Sequence, residues 1–236
     1  IQQAARAFNR MRERISRLVN DRTRMLGAIS HDLRTPITRL RLRAEFIEDD
    51  KTREEILKDL DRMKRMVNSA LTFIRDGTQA EASSALDLPA LLRTVVDNFA
   101  DVGESVSYEG VNQLTISAKP DGLVRAVENL IENGLKFGTR VVVRAAPGHS
   151  VAVIEVEDDG MGIPASERQA MLEPFVRGDA ARTGPTTGFG LGLSITSAIA
   201  RAHGGELELT SGALGGLLAR IRLPLQASPA LRLAAE

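Results

Sequence analysis

Apolar positions along the first third of the chain recur at helical intervals. Phe8, Met11, Ile15, Leu18, Met25 and Ile29 follow one seam at steps of three, four or seven residues, with Arg22 interrupting it. This spacing predicts a coiled-coil seam rather than a strand. The seam continues through "SHDL", Ser30 to Leu33. Pro36 removes a backbone donor and is expected to kink the helix. Periodicity resumes at Ile37, Leu40, Ala44 and Ile47, and the polar run "EDDKT", Glu48 to Thr52, is expected to end the helix. Thr52 followed by Glu55 reads as a capping box opening a second helix. The stripe of that helix is Ile56, Leu60, Met63, Val67, Ala70 and Ile74. An all-α antiparallel hairpin of this kind cannot bury its stripe alone, so it is expected to form a four-helix bundle as a homodimer.

The pattern changes after Asp76. "GTQAEASSA", Gly77 to Ala85, is small and polar and reads as a linker. Beyond it the spacing predicts helices over Leu88 to Phe99, Pro120 to Phe137 and Leu191 to Ala202, with a short one around Glu167 to Leu172. Strands are predicted at Val106 to Tyr108, Leu114 to Ser117, Arg140 to Ala146 and Ser150 to Asp158, and again in "GELELTSG" and "GLLARIRLPL". Pro120 suits a first helical turn. This order points to an α+β two-layer sandwich, one sheet with helices packed on one face. The tail after Leu225 is expected to be poorly ordered.

Composition narrows the function classes. Of 236 residues, 43% are hydrophobic, so the chain can bury a core. Lys+Arg and Asp+Glu are both 31, which argues against a nucleic-acid binder that relies on excess positive charge. The absence of Cys excludes a disulfide framework and Cys-ligated zinc. No apolar run is long enough to cross a bilayer. The chain begins at Ile1, which suggests a piece of a longer protein, so a missing membrane segment says nothing about the parent.

Three elements carry chemistry. In "TGFGLGLSI", Thr187 to Ile195, glycines alternate with apolar residues and run into a helix. Glycines admit close backbone approach, and the free N–H groups of a helix start favour phosphate. The spacing is neither a Rossmann fingerprint nor a Walker loop. In "VEDDGMGIP", Val156 to Pro164, a strand ends on carboxylates and turns through Gly160 and Gly162. A carboxylate there can accept a hydrogen bond from an adenine amine. In "VENLIENGLKFG", Val127 to Gly138, Asn129 and Asn133 share a helix face and Lys136 follows nearly on it. Carboxamides and a lysine so aligned suit a magnesium-nucleotide site, because Mg2+ takes few protein oxygens. Each element taken singly is also compatible with an ordinary turn or an exposed helix face.

With "SHDLRTP" upstream, these elements in this order resemble a bacterial two-component sensor histidine kinase. His31 to Pro36 resembles the H box, Asn129 to Phe137 the N box, Asp158 to Pro164 the G1 box, "EPFVRG" (Glu173 to Gly178) the F box, and Gly188 to Leu193 the G2 box. The leading "AARAFNRMRERISRLVND" resembles the last helix of a HAMP relay module. The osmosensor subclass is the nearest fit. The resemblance implies a signalling helix over 1–21, a dimerisation and phosphotransfer domain over 22–76, a linker over 77–85, a Bergerat-fold ATP-binding domain over 86–225, and a tail. It implies an inner-membrane parent with this portion in the cytoplasm, and a response-regulator receiver domain as partner.

It also implies roles. His31 is the phospho-acceptor and Asn133 the magnesium ligand. Asn129 and Lys136 approach the phosphates, with Phe137 beside them. Asp158 reads adenine, with Gly160, Gly162 and Ile163 bordering the base. Residues Arg177 to Gly188 form a lid, and Phe189, Gly190, Leu191, Gly192 and Leu193 line the phosphates. Gly134 stands where Ala is usual, which implies a less rigid helix, since a helix-interior Gly costs about 1 kcal/mol relative to Ala.

Phosphoryl transfer needs positioning and charge neutralisation above all. Asp32 lies about 100° around the helix from His31 and would meet the ring from the side, as base or orienter. Thr35, four residues on, shares the face of His31 and is expected to place the water that dephosphorylates the partner. An ATPase of the topoisomerase or chaperone type would need a Glu four residues before Asn133. That position is Asn129, while Glu128 faces elsewhere, so transfer to His31 is favoured over free hydrolysis. A non-enzymatic dimeric scaffold is the third reading, and the intact motifs argue against it. His149 and His203 receive structural readings, with a positive charge on His203 suiting a helix C-terminus.

Overall fold

The structure, a computed structural model, describes residues 35–76, 81–178 and 190–225. The chain divides into two units, Ile1–Gln79 and Ala80–Glu236.

In the first unit, residues 35–44 are helical (α1) and Asp50–Asp76 form α2. The first helix stops earlier than its apolar pattern predicts. Phe46 N–H donates to Arg43 O (3.2 Å) and Ile47 N–H to Ala44 O (3.1 Å), so the backbone tightens into a turn and Ile47 lies beyond the helix. The start of α2 also differs. Asp49 is the cap: its Oδ2 accepts the Thr52 N–H at 2.8 Å, so Thr52 is the capped residue rather than the capping one. A carboxylate is the stronger acceptor and complements the positive helix end. Arg41 pairs with Asp61 across the hairpin at 2.6 Å. Ile37, Ala44 and Leu60 are buried, but the stripe residues Leu40 and Met63 are 46% and 48% exposed, and Phe46 is 86% exposed. No helix among the described residues is long and apolar enough to cross a membrane.

The second unit opens with a strand inside the segment read as linker. β1 (Ser84–Asp87) pairs antiparallel with β3 (Thr115–Ala118). Its alternation is too short and polar to register as a strand. α3 (Leu88–Ala100), β2 (Val106–Gly110) and α4 (Pro120–Phe137) stand where the pattern predicts. β4 (Val141–Pro147), β5 (Val151–Asp158), α5 (Gly192–Ala202), β6 (Glu206–Ser211) and β7 (Leu217–Pro224) complete the unit. The short helix is reduced to a 3-10 turn, Ala170–Leu172.

The main sheet runs β2-β4-β5-β7-β6, parallel between β2 and β4 and antiparallel elsewhere. Strand alternation makes it two-faced. Ala152, Ile154, Val156, Ala219, Ile221, Leu207 and Leu209 are buried, and α3, α4 and α5 all pack on the sheet. The opposite face carries a charge ladder in which Arg220 bridges Glu155 (2.7 Å) and Glu208 (3.4 Å). This is the α+β two-layer sandwich read from the sequence, with the small β1-β3 sheet added.

Two distant side chains hold α4 and α5 in place. Glu81 caps α4 from outside the helix, accepting the N–H groups of Asp121 (2.9 Å) and Gly122 (3.3 Å). His203 ties the end of α5 to the start of α4. Its Nδ1 meets Ile199 O at 2.8 Å and its Nε2 accepts the Lys119 N–H at 3.0 Å. The role is structural, as read, but Nε2 serves as an acceptor. The ring therefore carries its proton on Nδ1, and the expected positive charge has no place in this arrangement.

Candidate functional site

α4 forms the central wall. Its apolar stripe (Leu123, Val127, Leu130, Ile131) is buried, which fixes the rotation of its polar face. The Asn129 carboxamide lies against the start of α5: a Cβ added at Gly192 would stand 3.8 Å from Asn129 Oδ1. Asn129 Nδ2 is buried and has no hydrogen-bond partner among the described residues. A buried orphan donor is costly, so this amide awaits an acceptor. Asn133, one turn on, is half-buried. The Lys136 ammonium sits 5.0 Å from the Phe137 ring centroid. Burial and then the like charge of Arg177 push the Lys136 pKa down. Two like charges close enough to feel each other make the surroundings favourable to an anion.

The end of β5 faces this wall. Asp158 is buried, and its Oδ1 accepts N–H bonds from Gly160 (2.9 Å) and Leu217 (3.1 Å). Burial raises its pKa, against the lowering effect of those two donors, and the neighbouring Asp159 and Glu157 add to the rise. Among the described residues Oδ2 accepts no hydrogen bond, so one carboxylate oxygen remains for a donor.

Small residues make this approach possible. A Cβ at Gly134 would stand 2.7 Å from Val141 Cγ2 and 3.2 Å from Asp158 Cβ. α4 runs unbroken through Gly134, so this glycine reflects close packing on β4 and β5 rather than a loosened helix. A Cβ at Gly160 would stand 2.7 Å from Phe137 O. Asp159 locks the same corner. Its Oδ1 accepts the Thr139 and Arg140 N–H groups (2.6 and 2.9 Å) and its Oδ2 the Thr139 hydroxyl (2.6 Å). The Thr139 hydroxyl and these backbone donors lower the Asp159 pKa to about 2.

Gly162 and Gly190 both adopt positive φ, 69° and 68°. Ile163 O accepts Arg168 Nε–H at 3.0 Å, which holds the loop beyond Gly162. Gly190 O accepts the N–H of Phe175 at 2.9 Å. Leu191 is buried at the α5 cap and Gly192 opens the helix, followed by the half-buried Leu193. Thr196 Oγ1 reaches Ala126 O at 3.3 Å and so fastens α5 to α4.

α4 thus collects Gly192 at its middle, Asp158 at Gly134, and Gly160, Phe137 and Arg177 at its end. Asn133 lies on the face between Asn129 and Lys136. His31, Asp32, Gly188 and Phe189 lie outside the described residues, as do 179–189 of the expected lid. Thr35 and Pro36 are the exposed first residues of the described part of α1. Sequence reasoning missed Gly138, Asp159, Gly216 and the Leu217 N–H. Only the second carboxylate of "DDG" carried any signal, since the others matter through backbone position.

Residues 21–79 match the His Kinase A (phospho-acceptor) domain family. Residues 118–227 match the histidine kinase-, DNA gyrase B-, and HSP90-like ATPase family. The sensor histidine kinase GtrS of Pseudomonas aeruginosa is 40% identical over 222 residues, 94% of this chain and 46% of GtrS. The sensor histidine kinase CpxA of Escherichia coli is 32% identical over 237 residues, 94% of this chain and 51% of CpxA. The chain therefore spans about half the length of these curated relatives. Full-length ShkA in complex with AMPPNP superposes with a TM-score of 0.66 at 25% identity, over 87% of this chain and 47% of ShkA. The ATP-binding domain of PrrB from Mycobacterium tuberculosis superposes with a TM-score of 0.53 at 29% identity, over 62% of this chain and 99% of that domain.

Proposed function

The chain belongs to the sensor histidine kinases, as a phospho-acceptor domain followed by an ATP-binding domain, and from that membership we propose the reaction and its residues. The second unit binds ATP with Mg2+, and the γ-phosphoryl group passes to His31. A neutral imidazole nitrogen attacks the γ-phosphorus, the bond to the bridging oxygen breaks, and ADP leaves with that oxygen. Asp32 takes up the proton of the other ring nitrogen. The observation that carries this reading is the buried Asn129 Nδ2, without a partner among the described residues and set against the glycine start of α5. An orphan donor beside free helix N–H groups suits a phosphate oxygen. Lys136 and Arg177 add charge, and Asp158 offers its remaining oxygen to the adenine amine.

No group of three or more His, Cys, Asp or Glu among the described residues could hold a metal ion. Mg2+ would be held with few protein ligands, here Asn133, and otherwise by phosphates and water. The ion would neutralise charge developing on the phosphate oxygens. The phosphoryl group then moves to a response-regulator aspartate, and Thr35 places the water that later hydrolyses the phosphorylated regulator to release free phosphate. The exposed Leu40 and Met63 support a homodimer through the helical bundle. The domain limits read from the sequence, the HAMP helix over 1–21, the osmosensor-like subclass and a membrane-anchored parent belong to the same reading.

Incubation with γ-labelled ATP and Mg2+ tests it. An acid-labile label on the protein that is absent in His31→Gln is the expected result. Free phosphate with no labelled protein would indicate an ATPase instead, and neither product a scaffold.

A further inference from the structure

Glu157 has no part in the reading above, yet it is 3% exposed, one residue before Asp158. Both of its oxygens are engaged. Oε1 accepts the Leu214 N–H at 2.8 Å, and Oε2 accepts Arg144 Nη1, a guanidinium shared with Glu109. Burial pushes its pKa up, but Arg144 and the Leu214 and Ala213 backbone donors outweigh it and the net shift is downward. The carboxylate is therefore a charged, fully committed group.

Its backbone partner lies in the turn between β6 and β7. That turn closes on itself through Gly212 N–H to Gly216 O (2.9 Å) and Gly215 N–H to Gly212 O (3.3 Å). It is packed hard against β5. A Cβ at Gly212 would stand 2.7 Å from Glu157 Oε1, and one at Gly216 would lie 2.6 Å from Gly160 N and inside contact distance of Asp158 Oδ1. The next residue, Leu217, donates its N–H to that same Oδ1. Adjacent strand residues point to opposite faces. The turn therefore straddles the end of β5, gripped by Glu157 on one side and by Asp158 on the other.

We propose that Glu157 is a positioning residue for nucleobase recognition: by anchoring the 212–216 turn it keeps the Leu217 N–H on Asp158 Oδ1 and so decides which carboxylate oxygen faces the base. This rests on the reading of Asp158 as the adenine-contacting group. If the turn lifts, Oδ1 loses a donor and the carboxylate is free to rotate. A rotated carboxylate discriminates poorly between an exocyclic amine, as in adenine, and a carbonyl, as in guanine. Arg144 is the counter-charge that lets the anchor remain ionised while buried.

The test is equilibrium binding of ATP, GTP and tripolyphosphate to the whole chain, with amide hydrogen exchange at Leu217. Glu157→Ala is expected to weaken ATP binding about tenfold, the loss of one charge-assisted hydrogen bond, and to narrow the ATP-over-GTP preference. Tripolyphosphate affinity stays unchanged and Leu217 exchange speeds up. Should Glu157→Ala fail to fold, Glu157→Gln serves. It keeps the acceptor for Leu214 but sets an amide donor against Arg144, so the same changes are expected at smaller size. A folded Glu157 variant with native Leu217 exchange and native base preference overturns the proposal. Faster Leu217 exchange without any change in base preference, together with an equally unaffected Asp158→Asn, would instead overturn the adenine reading on which it rests.

Discussion

The N–H of Phe175 donates to Gly190 O at 2.9 Å, and both residues stand at positive φ, 66° and 68°. For glycine this conformation is free, but for an aromatic residue it costs of order 1–3 kcal/mol and persists only where the surroundings enforce it. Phe175 is also 61% exposed, so burial does not offset the cost. The hydrogen bond joins the segment before 179–189 to the segment after it, at the strained Phe175.

Gly190→Ala tests that joint. Its Cβ would stand 2.9 Å from Phe175 C and closer still to Val176 O, both backbone atoms that cannot swing away. ATP affinity is expected to fall at least about tenfold, with a smaller loss of thermal stability, since about 1.4 kcal/mol of displacement suffices. Calorimetric titration against ATP alongside a melting curve separates the two effects.

Gly134→Ala reverses the usual helix rule. Alanine normally gains about 1 kcal/mol in a helix interior. Here the new methyl meets Val141 Cγ2 at 2.7 Å, and overpacking costs about 1–3 kcal/mol. Urea unfolding is expected to show a net loss of up to about 2 kcal/mol. Nucleotide affinity should drop with it, because Asp158 Cβ is the other neighbour.

Acid should act through two adjacent carboxylates whose pKa values are shifted in opposite directions. Asp159 has its folded pKa lowered to about 2, so its stabilising bonds are fully present above the ordinary carboxylate range and are lost as pH falls towards about 2. Unfolding midpoints of Asp159→Asn should therefore converge on those of the unaltered chain below that window. Asp158 has its pKa raised, first by burial. A protonated Oδ2 no longer accepts from an amine, so ATP affinity is expected to decline at a higher pH than an ordinary carboxylate would impose. Binding titrations from neutral to mildly acidic pH check it.

Leu40→Asp with Met63→Asp should leave a monomer. Both residues belong to the apolar stripes yet remain about half exposed in the single chain, while Ile37, Ala44 and Leu60 are covered. Analytical ultracentrifugation would show a halved mass with helical content retained. A dimer surviving both substitutions would place the interface elsewhere.

Thr35→Ala tests the two activities proposed for the segment around His31. Dephosphorylation of the phosphorylated receiver domain is expected to vanish, while labelling of His31 continues. Parallel loss of both would remove Thr35 from the role proposed for it.

Much of this molecule is legible along the chain because the signals are local. The α4 limits follow from Pro120, an unbroken apolar stripe and Gly138, and the β5 limits from alternation that ends on acidic residues. Asn129, Asn133, Lys136 and Asp158 become candidates through residue type and spacing together with the order of the motifs. Where the reading erred, the competing signals were equally local. Asp49 outbid Thr52 as a cap because a carboxylate lay one residue before the helix. The tight turn at 45–47 ended α1 although its apolar period continued.

What spacing could not reveal depends on groups far apart in sequence. The Leu217 N–H reaches Asp158 across 59 residues, Glu81 caps α4 across 40, and His203 accepts from Lys119 across 84. Gly134 looks like a flaw in a helix until Val141 and Asp158 are found against it. The sequence by itself determined which elements form and which residues on them are candidates for a nucleotide site, since residue chemistry and periodicity are properties of short segments. Only the tertiary structure decided which oxygen of Asp158 is already taken, that Asn129 Nδ2 has no partner among the described residues, and which glycines are there for lack of room. Those are consequences of packing, and packing is settled between segments rather than within them.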